Sequence, residues 1–377
     1  MITTEQILEI ILYIFYGAAG MQVLYYLIIF IRIFGKPKKE EKTEKTPVSV
    51  IIAARNESDN LQKFLPTVLE QKYDNFEVIV VNDASDDNSE RILKGFQQKY
   101  KNLYVTSLPL DTQFSHGKKL AQTLGIKAAK NEWLLFTDAD CIIDSNLWIE
   151  KMQENFTKNT EIVLGYGGYI KKRGLLNLLI RYDTVFIAIQ YITYAMLGMP
   201  YMGVGRNMAY RKSTFFKNKG FASHLKLLSG SDDLFVNENA TKKNTKVELS
   251  AESFTHSVSK KTFSDWIIQK KRHFTTGKHY KFKHKILLGL EVFSRQLFYI
   301  LFIILAIYWN QPIIIFSVFG FRMLLYSIVI ARASYIFKEK SVGLLFIGFI
   351  FDFVQPFVNF IILLSQKLSK KKRNKWK

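Results

Sequence analysis

Two acidic residues that directly follow a short apolar run, Asp138 and Asp140, could hold a metal ion. The run, Trp133 to Thr137, predicts a strand that is covered on both faces. Because alternate residues of an extended chain point to the same side, both carboxylates face one way. Mg²⁺ and Mn²⁺ bind such oxygens together with water and the phosphates of a substrate. A polar turn after a strand would contain the same residues, so the pair alone is a weak signal.

Two earlier predicted strands also run into polar residues. Val48 to Ala54 is followed by Arg55-Asn56-Glu57, and Phe76 to Val81 is followed by a stretch that contains Asp83. Helices are predicted between the strands, and this alternation indicates an α/β domain with a mostly parallel sheet flanked by helices. The helices are predicted over Leu61 to Gln71, Ser89 to Tyr100 and Lys118 to Ala129, with a short third strand from Leu103 to Val105.

The ends of these strands predict a nucleotide site. Ligands of open α/β sheets bind outside the carboxyl ends of the strands, so Glu57, Asp83, Asp138 and Asp140 are expected on one rim. The sequence has no Gly-x-Gly-x-x-Gly after the first strand, and Gly117-Lys118-Lys119 lacks the rest of a Walker A loop. Phosphate binding is therefore expected to run through the metal ion.

A second acidic pair, Asp232 and Asp233, precedes a helical apolar stretch. The pair is consistent with a capped helix start. It is also consistent with a helix start that holds the carboxylate of Asp233 rigidly in place as a general base. Upstream, Gly203 to Arg211 contains two glycines that allow the backbone to approach a ligand, and it also fits a glycine-rich hairpin. Ile162 to Ile170 is predicted as another strand.

The first 34 residues predict an N-terminal transmembrane helix. They contain an uncharged run from Ile10 to Ile31, and about 20 apolar residues span a bilayer as a helix. The linker that follows, residues 35–46, is basic, which places the next domain, residues 47–255, in the cytoplasm by the positive-inside rule. We therefore expect a multi-pass integral protein of the cell (inner) membrane.

The C-terminal part of the chain also predicts membrane contact. Residues 256–284 include a basic amphipathic stretch, Trp266 to His273, that suits a bilayer interface. Residues 285–366 contain three apolar segments near 286–309, 313–332 and 342–365. The last segment, 367–377, has seven basic residues and no acid, so it is expected in the cytoplasm.

The N-terminal helix and the three C-terminal apolar segments cannot all cross the membrane and also satisfy the positive-inside rule. Four crossings in all would put the tail outside, so one segment is expected to lie flat, to re-enter the membrane or to break the rule. Residues 286–309 are our candidate, because Glu291 and Arg295 interrupt their first half. A further apolar stretch, Leu175 to Gly198, contains Arg181 and Asp183, which favours a helix packed on the domain or lying at the bilayer surface.

Two charged residues lie within the apolar C-terminal segments. Arg322 and Asp352 are equally far along the chain from Phe337, in the middle of the connection between two predicted helices. In an antiparallel helix pair they would lie at the same depth, where a lone charge costs about 2.5–3.5 kcal/mol. We therefore expect the two side chains to pair.

The overall composition excludes some classes of protein. The formal net charge is +21, but the basic residues cluster beside apolar segments, which favours a membrane surface over nucleic acid. A single cysteine, Cys141, cannot form a disulfide within the chain and is expected to be a packing residue. No His/Cys cluster has the spacing of a zinc site.

Several of these motifs together resemble those of the family-2 glycosyltransferases with a GT-A (Rossmann-like) fold. The likeness covers about Pro47 to Tyr280 and is closest in kind to the membrane-attached polysaccharide synthases and lipid-directed enzymes. The matching stretches, in chain order, are Val50 to Glu57 with its Ala54-Arg55-Asn56-Glu57 ending, Asp83, the Asp138-Ala139-Asp140 metal motif, Asp233, and Gln269 with Arg272 in a Gln-x-x-Arg motif.

The resemblance implies a transfer reaction at the strand ends. Ala54, Glu57, Asp83, Lys118, Asp138, Gln269 and Arg272 would bind a nucleotide-diphospho-sugar, with UDP the favoured nucleotide. Asp138 and Asp140 would hold Mg²⁺ or Mn²⁺, and Asp233, beside Asp232, would act as the base in an inverting transfer. The acceptor would be a membrane lipid or a growing glycan at the lipid bilayer.

One position departs from the family pattern. His273 stands where the family usually has a Trp that lines the acceptor side in polymerising synthases. Single transfer to a membrane acceptor therefore stays as an alternative to polymerisation. A catalytically inactive membrane-anchored binder of nucleotides or polysaccharide is the alternative from another class of protein.

Overall fold

The computed structural model describes residues 3–37, 44–108, 117–339 and 342–368. Half of the linker expected at 35–46 and most of the basic tail expected at 367–377 lie outside these residues. Ten strands are described: β1 (Val48–Ala54), β2 (Phe76–Asp83), β3 (Leu103–Leu108), β4 (Trp133–Phe136), β5 (Cys141–Ile143), β6 (Ile162–Leu164), β7 (Gly167–Tyr169), β8 (Met208–Arg211), β9 (Thr245–Val247) and β10 (Thr255–Ser257).

Twelve α-helices accompany these strands in the described part of the chain. They are α1 (Thr4–Leu24), α2 (Ser58–Leu69), α3 (Ser89–Lys99), α4 (Lys118–Ala128), α5 (Trp148–Gln153), α6 (Leu175–Met196), α7 (Lys212–Lys217), α8 (Asp233–Asn239), α9 (Phe263–Gly277), α10 (Phe282–Tyr308), α11 (Pro312–Ile336) and α12 (Val342–Leu368). A π-helical turn (Tyr25–Ile29) and a 3₁₀ turn (Phe30–Phe34) continue α1.

The predicted mostly parallel sheet is confirmed. Seven strands lie in the order β3-β2-β1-β4-β8-β6-β9. Neighbouring strands are parallel except on both sides of β8, which runs antiparallel to β4 and β6. Every residue of β1 is buried: Ile51 and Ala53 enter one core cluster while Val50 and Ile52 enter another. Helices on both faces therefore explain the unbroken apolar run of this strand.

The predicted single strand from Ile162 to Ile170 is wrong. The segment forms β6 in the large sheet and β7 in a second sheet of order β5-β10-β7. Glycines at the junction admit neighbouring side chains: a Cβ on Gly165 would lie 2.6 Å from Asn207 Nδ2, and one on Gly167 would lie 2.6 Å from Arg206 Cγ. Apolar periodicity alone does not predict where a chain leaves one sheet and enters another.

Helix α6 packs inside the molecule, in agreement with one of the two positions expected for it. Fifteen of its 22 residues are buried. Its two internal charges have partners, since Arg181 Nε donates to Glu339 Oε2 at 2.8 Å and Asp183 accepts from Lys270. Buried charges of this kind persist only where they are paired.

Five of the described helices are long and apolar enough to cross a membrane: α1 with its continuation, α6, α10, α11 and α12. Helices α1 and α10 lie antiparallel along their lengths. Phe15 stacks on Phe298 with ring centroids 5.3 Å apart, and Gln22 Nε2 donates to the carbonyl of Glu291 at 3.0 Å. Because α10 packs along α1, the two helices share one orientation, and residues 286–309 would lie flat only if α1 did so too.

The expected pair between Arg322 and Asp352 is confirmed, but it is part of a larger buried cluster. Arg322 Nη1 donates to Asp352 Oδ2. The other carboxylate oxygen accepts from Arg295 Nη1 at 3.0 Å, and Arg295 Nε lies 3.2 Å from Glu291 Oε1. Two arginines and two carboxylates therefore balance one another between α10, α11 and α12.

We expect Asp352→Asn to be more destabilising than Arg322→Gln, because it leaves two buried arginines facing Glu291 alone. Breaking a buried ion pair costs about 3–5 kcal/mol. The double variant Arg322→Gln/Asp352→Asn leaves the Arg295–Glu291 pair intact and should be more stable than either single variant. The midpoint of thermal unfolding in detergent measures this, and strictly additive losses would show that the two residues are not coupled.

Candidate active site

The carboxyl ends of β1 and β4 bring several of the predicted residues together. Lys118, at the first turn of α4, donates from Nζ to Asp138 Oδ1 just beyond β4. Burial alone would lower the pKa of Lys118, but the neighbouring Asp138 and Asp232 raise it above its ordinary value. The ammonium group of Lys118 therefore lies between the metal motif and the second acidic pair.

Asp140 lies close to other carboxylates. Its burial and the nearby carboxylates of Asp138 and Glu57 raise its pKa to about 6. Glu57 itself accepts a hydrogen bond from Asn60 Nδ2 at 2.5 Å. Cys141, which follows Asp140 in the chain, is 1% exposed, and burial raises the pKa of its thiol, as expected of a packing residue.

This charge distribution fits a divalent cation. The described residues contain no group of three or more His, Cys, Asp and Glu side chains that could hold a metal by themselves. Mg²⁺ needs only one or two carboxylates when water and phosphate oxygens complete its shell. Asp138 and Asp140 supply two carboxylates, and a cation between them would relieve the repulsion from Asp138 and Glu57 that contributes to the raised pKa of Asp140.

Asp83 lies farther along the sheet than the metal motif. It ends β2, which is separated from β4 by β1, and its fully buried carboxylate has Oδ2 4.0 Å from Arg55 Nη1. Ala54, at the end of β1, is buried and lies opposite Asn82, the residue that precedes Asp83 in β2.

The loops after β1 and β2 bind to each other. The amide of Asn56 donates to Ser85 Oγ at 3.0 Å, and the amide of Ser58 donates to Asp87 Oδ2 at 2.9 Å. Polar side chains after β2, such as Ser85 and Asp87, therefore stabilise the conformation of the loop after β1.

The two acids of the second pair have different environments. Asp232 Oδ2 accepts from the Gly205 amide at 2.9 Å; burial would raise its pKa, but Lys118 and this hydrogen bond lower it. Asp233 has a pKa raised to about 6, first by burial and then by repulsion from Asp232. Paired groups whose pKa values are pushed apart are typical of acid–base sites.

The partners of Asp233 come from α9 and the residues just after it. Its Oδ2 accepts from Thr276 Oγ1 and, at 2.8 Å, from Tyr280 Oη. These hydroxyls oppose the rise of its pKa and fix the carboxylate in one orientation. Sequence reasoning missed both residues, since the contact joins positions more than 40 residues apart and neither belongs to a local motif.

Three basic or amide side chains lie near these acids. Gln269 Nε2 donates to Tyr169 Oη at 3.2 Å, and the guanidinium carbon of Arg206 lies 4.4 Å from the centre of the Tyr169 ring. Within the part of the chain that the structure describes, the buried Nε atoms of Arg206 and Arg272 have no hydrogen-bond partner. Arg206 was not singled out from the sequence, although it lies in the Gly203 to Arg211 stretch.

Lys119 holds the loop that leads to the second acidic pair. Its Nζ donates to the carbonyls of His224 and Leu227, the latter at 2.8 Å. Burial lowers its pKa to about 8. Neighbouring lysines on α4 thus differ in role, since Lys118 faces the acids and Lys119 supports the loop.

Comparison with known proteins relates this geometry to a family. The model of "Glycosyl transferase family 2" matches residues 49–218, and that of "Glycosyl transferase family group 2" matches residues 135–351, more than half of the chain. Both matched ranges include the Asp138-Ala139-Asp140 motif, and the second also includes Asp233, Gln269 and Arg272.

Curated relatives match over shorter stretches. A poly-beta-1,6-N-acetyl-D-glucosamine synthase of Staphylococcus epidermidis is 32% identical over 141 residues, which is 37% of this chain and 33% of that protein. The glycosyltransferase GlyG of Streptococcus pneumoniae is 30% identical over 128 residues, 34% of this chain and 41% of that protein. The matched stretches thus span well under half the length of these relatives.

A solved structure supports the fold. The mannosyltransferase PcManGT of Pyrobaculum calidifontis, in complex with GDP-Man and Mn²⁺, superposes with a TM-score of 0.63 at 16% identity, covering 97% of this chain and 99% of that one. Together with the family match, this confirms the expected GT-A-like sheet with flanking helices.

The contact between Lys118 and Asp138 should limit metal binding in the absence of nucleotide. We expect Lys118→Met to bind Mn²⁺ about fivefold more tightly, because a partly exposed ion pair is worth about 1 kcal/mol. Asp140→Asn should bind it at least tenfold more weakly. Electron paramagnetic resonance of free Mn²⁺ measures both, with Lys127→Met on the exposed side of α4 as the control. Equal affinity in the Lys118 and Lys127 variants would contradict competition by Lys118.

Proposed function

This chain belongs to glycosyl transferase family 2 and is a glycosyltransferase, and from this premise we propose that it transfers a sugar from a nucleotide-diphospho-sugar to a hydroxyl group of a membrane-associated acceptor, with inversion at the sugar carbon. The observation that carries the proposal is the environment of Asp233. This buried carboxylate has a pKa of about 6 and is oriented by Thr276 and Tyr280 at the edge of a cavity. A positioned base with a pKa near the working pH suits abstraction of a hydroxyl proton.

The transfer step uses Asp233 at the acceptor. The acceptor oxygen attacks the anomeric carbon while the bond from that carbon to the diphosphate breaks, and Asp233 takes the hydroxyl proton. The nucleotide diphosphate leaves with the bonding electrons. Asp232, kept ionised by Lys118 and the Gly205 amide, raises the pKa of Asp233 and so makes it a stronger base.

The donor is expected at the rim formed by the ends of β1, β2 and β4. Lys118, Arg206 and Arg272 supply positive charge for the diphosphate. Asp83 would contact the base, beside Ala54 and Glu57, and Gln269 would orient the sugar side through Tyr169. When bound by Asp138 and Asp140, Mg²⁺ or Mn²⁺ would neutralise negative charge on the leaving group.

The alternative from another class is a membrane-anchored binder without activity. Both hypotheses predict nucleotide binding, but only the enzyme needs Asp233. Membranes carrying the protein should release nucleotide diphosphate from one donor of a panel that includes UDP-N-acetylglucosamine and GDP-mannose, with lipid extract as the source of acceptor. Release should be lost on chelation and fall at least 100-fold in Asp233→Asn. Unchanged nucleotide binding without release by the intact protein would favour the binder.

The pH dependence of transfer should report the pKa of Asp233. Because the base must be ionised, activity should fall as the pH drops through about 6. Tyr280→Phe removes a hydrogen bond to the carboxylate, so the pKa should rise and the acid limb should move up by about one pH unit. Tyr201→Phe, in the adjacent ring cluster, is the control. An acid limb that stays in place would show that Tyr280 does not contact the ionised base.

We propose that the catalytic domain faces the cytoplasm and that α1, α10 and α11 cross the membrane. Helix α12 packs against α6 and α9 of the catalytic region, with Phe351 near both Trp266 and Tyr182. We infer that α12 enters the bilayer only partway from the cytoplasmic side, where Asp352 meets Arg295 and Arg322 of the crossing helices, and does not cross. Three crossings then leave the basic tail in the cytoplasm, as the positive-inside rule requires.

Fusions at the C-terminus test this topology. Green fluorescent protein fused after Lys377 should fluoresce, and alkaline phosphatase at the same position should be inactive, since each reports one side of the membrane. Fusions after Trp309, at the end of α10, should give the opposite pattern. Active phosphatase after Lys377 would mean that α12 crosses the bilayer.

A further inference from the structure

A cavity of 430 Å³ connects the second acidic pair with the membrane helices. It lies among α6, α9, α10 and α12. Asp232, Asp233 and Tyr280 line one end, and Arg295, Gln355 and Asn359 line the other. Most of the wall between these ends is aromatic or aliphatic, formed by Phe186, Ile187, Tyr191, Trp266, Phe274, Leu288 and Val292.

We propose that this cavity binds the apolar part of a membrane lipid whose uncharged head carries the acceptor hydroxyl, and that the enzyme adds a single sugar to it. The inference rests on the proposed function, since it identifies the acceptor of that reaction. The volume lies in the range of ligand pockets, which are mainly apolar with few polar groups.

The acidic end of the cavity favours a hydroxyl as the nucleophile. A lipid phosphate would carry its own negative charge next to the carboxylates of Asp232 and Asp233, and like charges at close range repel. Its ionised oxygen would also need no base to become a nucleophile. A hydroxyl needs the base that Asp233 provides, and it adds no charge to the pair.

The deeper charges of the cavity already have partners. Lys270 Nζ donates to both oxygens of Asp183, at 2.7 and 2.8 Å. Arg295 donates to Asp352 at 3.0 Å and lies 3.2 Å from Glu291. These two cations are neutralised within the protein, so the deeper part of the cavity offers mainly an apolar surface for hydrocarbon.

The cavity lies next to surfaces that suit the bilayer. On α10, Leu288 and Val292 line the cavity, while Phe293 of the same helix is 62% exposed and Ile286 is 43% exposed. Lys285 lies at the cavity on the first turns of this helix, at the level expected for lipid head groups. A lipid can therefore enter sideways with its head towards Asp233.

The far end of the cavity is closed. Behind Arg295, the fully buried side chains of Asp352 and Arg322 form the ion cluster. Beyond it, α1, α10 and α11 pack around Phe15, Phe298, Leu305 and Ile315, each 0% exposed. Packed side chains occupy this path in the part of the bundle that the structure describes, so we infer that the product leaves by the route through which the lipid entered, after one addition.

Two glycines allow a matched test of the cavity. A Cβ added at Gly277, which lines the cavity on α9, would meet no atom within 4 Å, and the same holds at Gly289 on the outer side of α10. Gly277→Leu therefore fills the cavity, and Gly289→Leu adds the same side chain elsewhere. The probe is dodecyl β-glucoside with a diazirine near the end of its alkyl chain, cross-linked by light in detergent and mapped by mass spectrometry.

We expect cross-links on cavity residues such as Ile187 and Leu288, reduced at least fivefold in Gly277→Leu and unchanged in Gly289→Leu. Labels confined to outward residues such as Phe293, or equal labelling in both variants, would overturn the inference. This readout needs no catalysis, so it does not depend on the donor.

Product analysis in membranes with labelled donor tests single addition. The expected product is extracted into organic solvent and is one sugar heavier than a membrane lipid. A water-soluble polymer would overturn the inference and leave the transferase intact. No release of nucleotide diphosphate from any donor would overturn the proposed function, and the acceptor inference with it.

Discussion

The buried carboxylate of Asp183 joins three parts of the molecule. It lies on α6, accepts two hydrogen bonds from Lys270 of α9, and accepts a third from Gln355 of α12 at 2.5 Å. Gln355 in turn lies 3.4 Å from Arg295, which binds Asp352. Taking such charges out of water is costly unless every one is paired, so the positions of the three helices are tightly constrained.

The position of α9 matters because this helix determines the environment of Asp233, the proposed base. Thr276 lies in its last turn and Tyr280 follows shortly after it, and both donate to Asp233. The same helix carries Gln269 and Arg272 of the family motif. A shift of α9 relative to the membrane helices would therefore change the proposed donor side, the proposed acceptor side and the pKa of Asp233 together.

Charge is distributed unevenly among the four acids of the site. Lys118 contacts Asp138 and lies near Asp232, whose pKa it lowers, whereas Asp140 and Asp233 have pKa values raised to about 6. The lysine thus lies close to one member of each acidic pair, and burial together with the neighbouring carboxylate raises the pKa of the other member. We expect Asp140 to gain its missing positive charge from the metal and Asp233 from the acceptor proton.

Local patterns of the sequence determined much of this protein. The apolar runs of β1, β2 and β4 and their polar ends, the amphipathic stretch in α9, and the long apolar helices can be identified because burial imposes periodicities of two or 3.6 residues on neighbouring positions. The same patterns, in order, indicated the family and the acids Asp138, Asp140 and Asp233. Equal spacing from Phe337 was enough to predict the contact between Arg322 and Asp352.

Only the tertiary structure decided the rest. Ile162 to Ile170 divides between two sheets, α10 accompanies α1, Arg295 joins the ion cluster, and Thr276 with Tyr280 holds Asp233. Each of these depends on which distant side chain fills a space or balances a charge. Local periodicity reports that a residue is buried, but it does not report which residue lies opposite, because that choice depends on the packing of the whole chain.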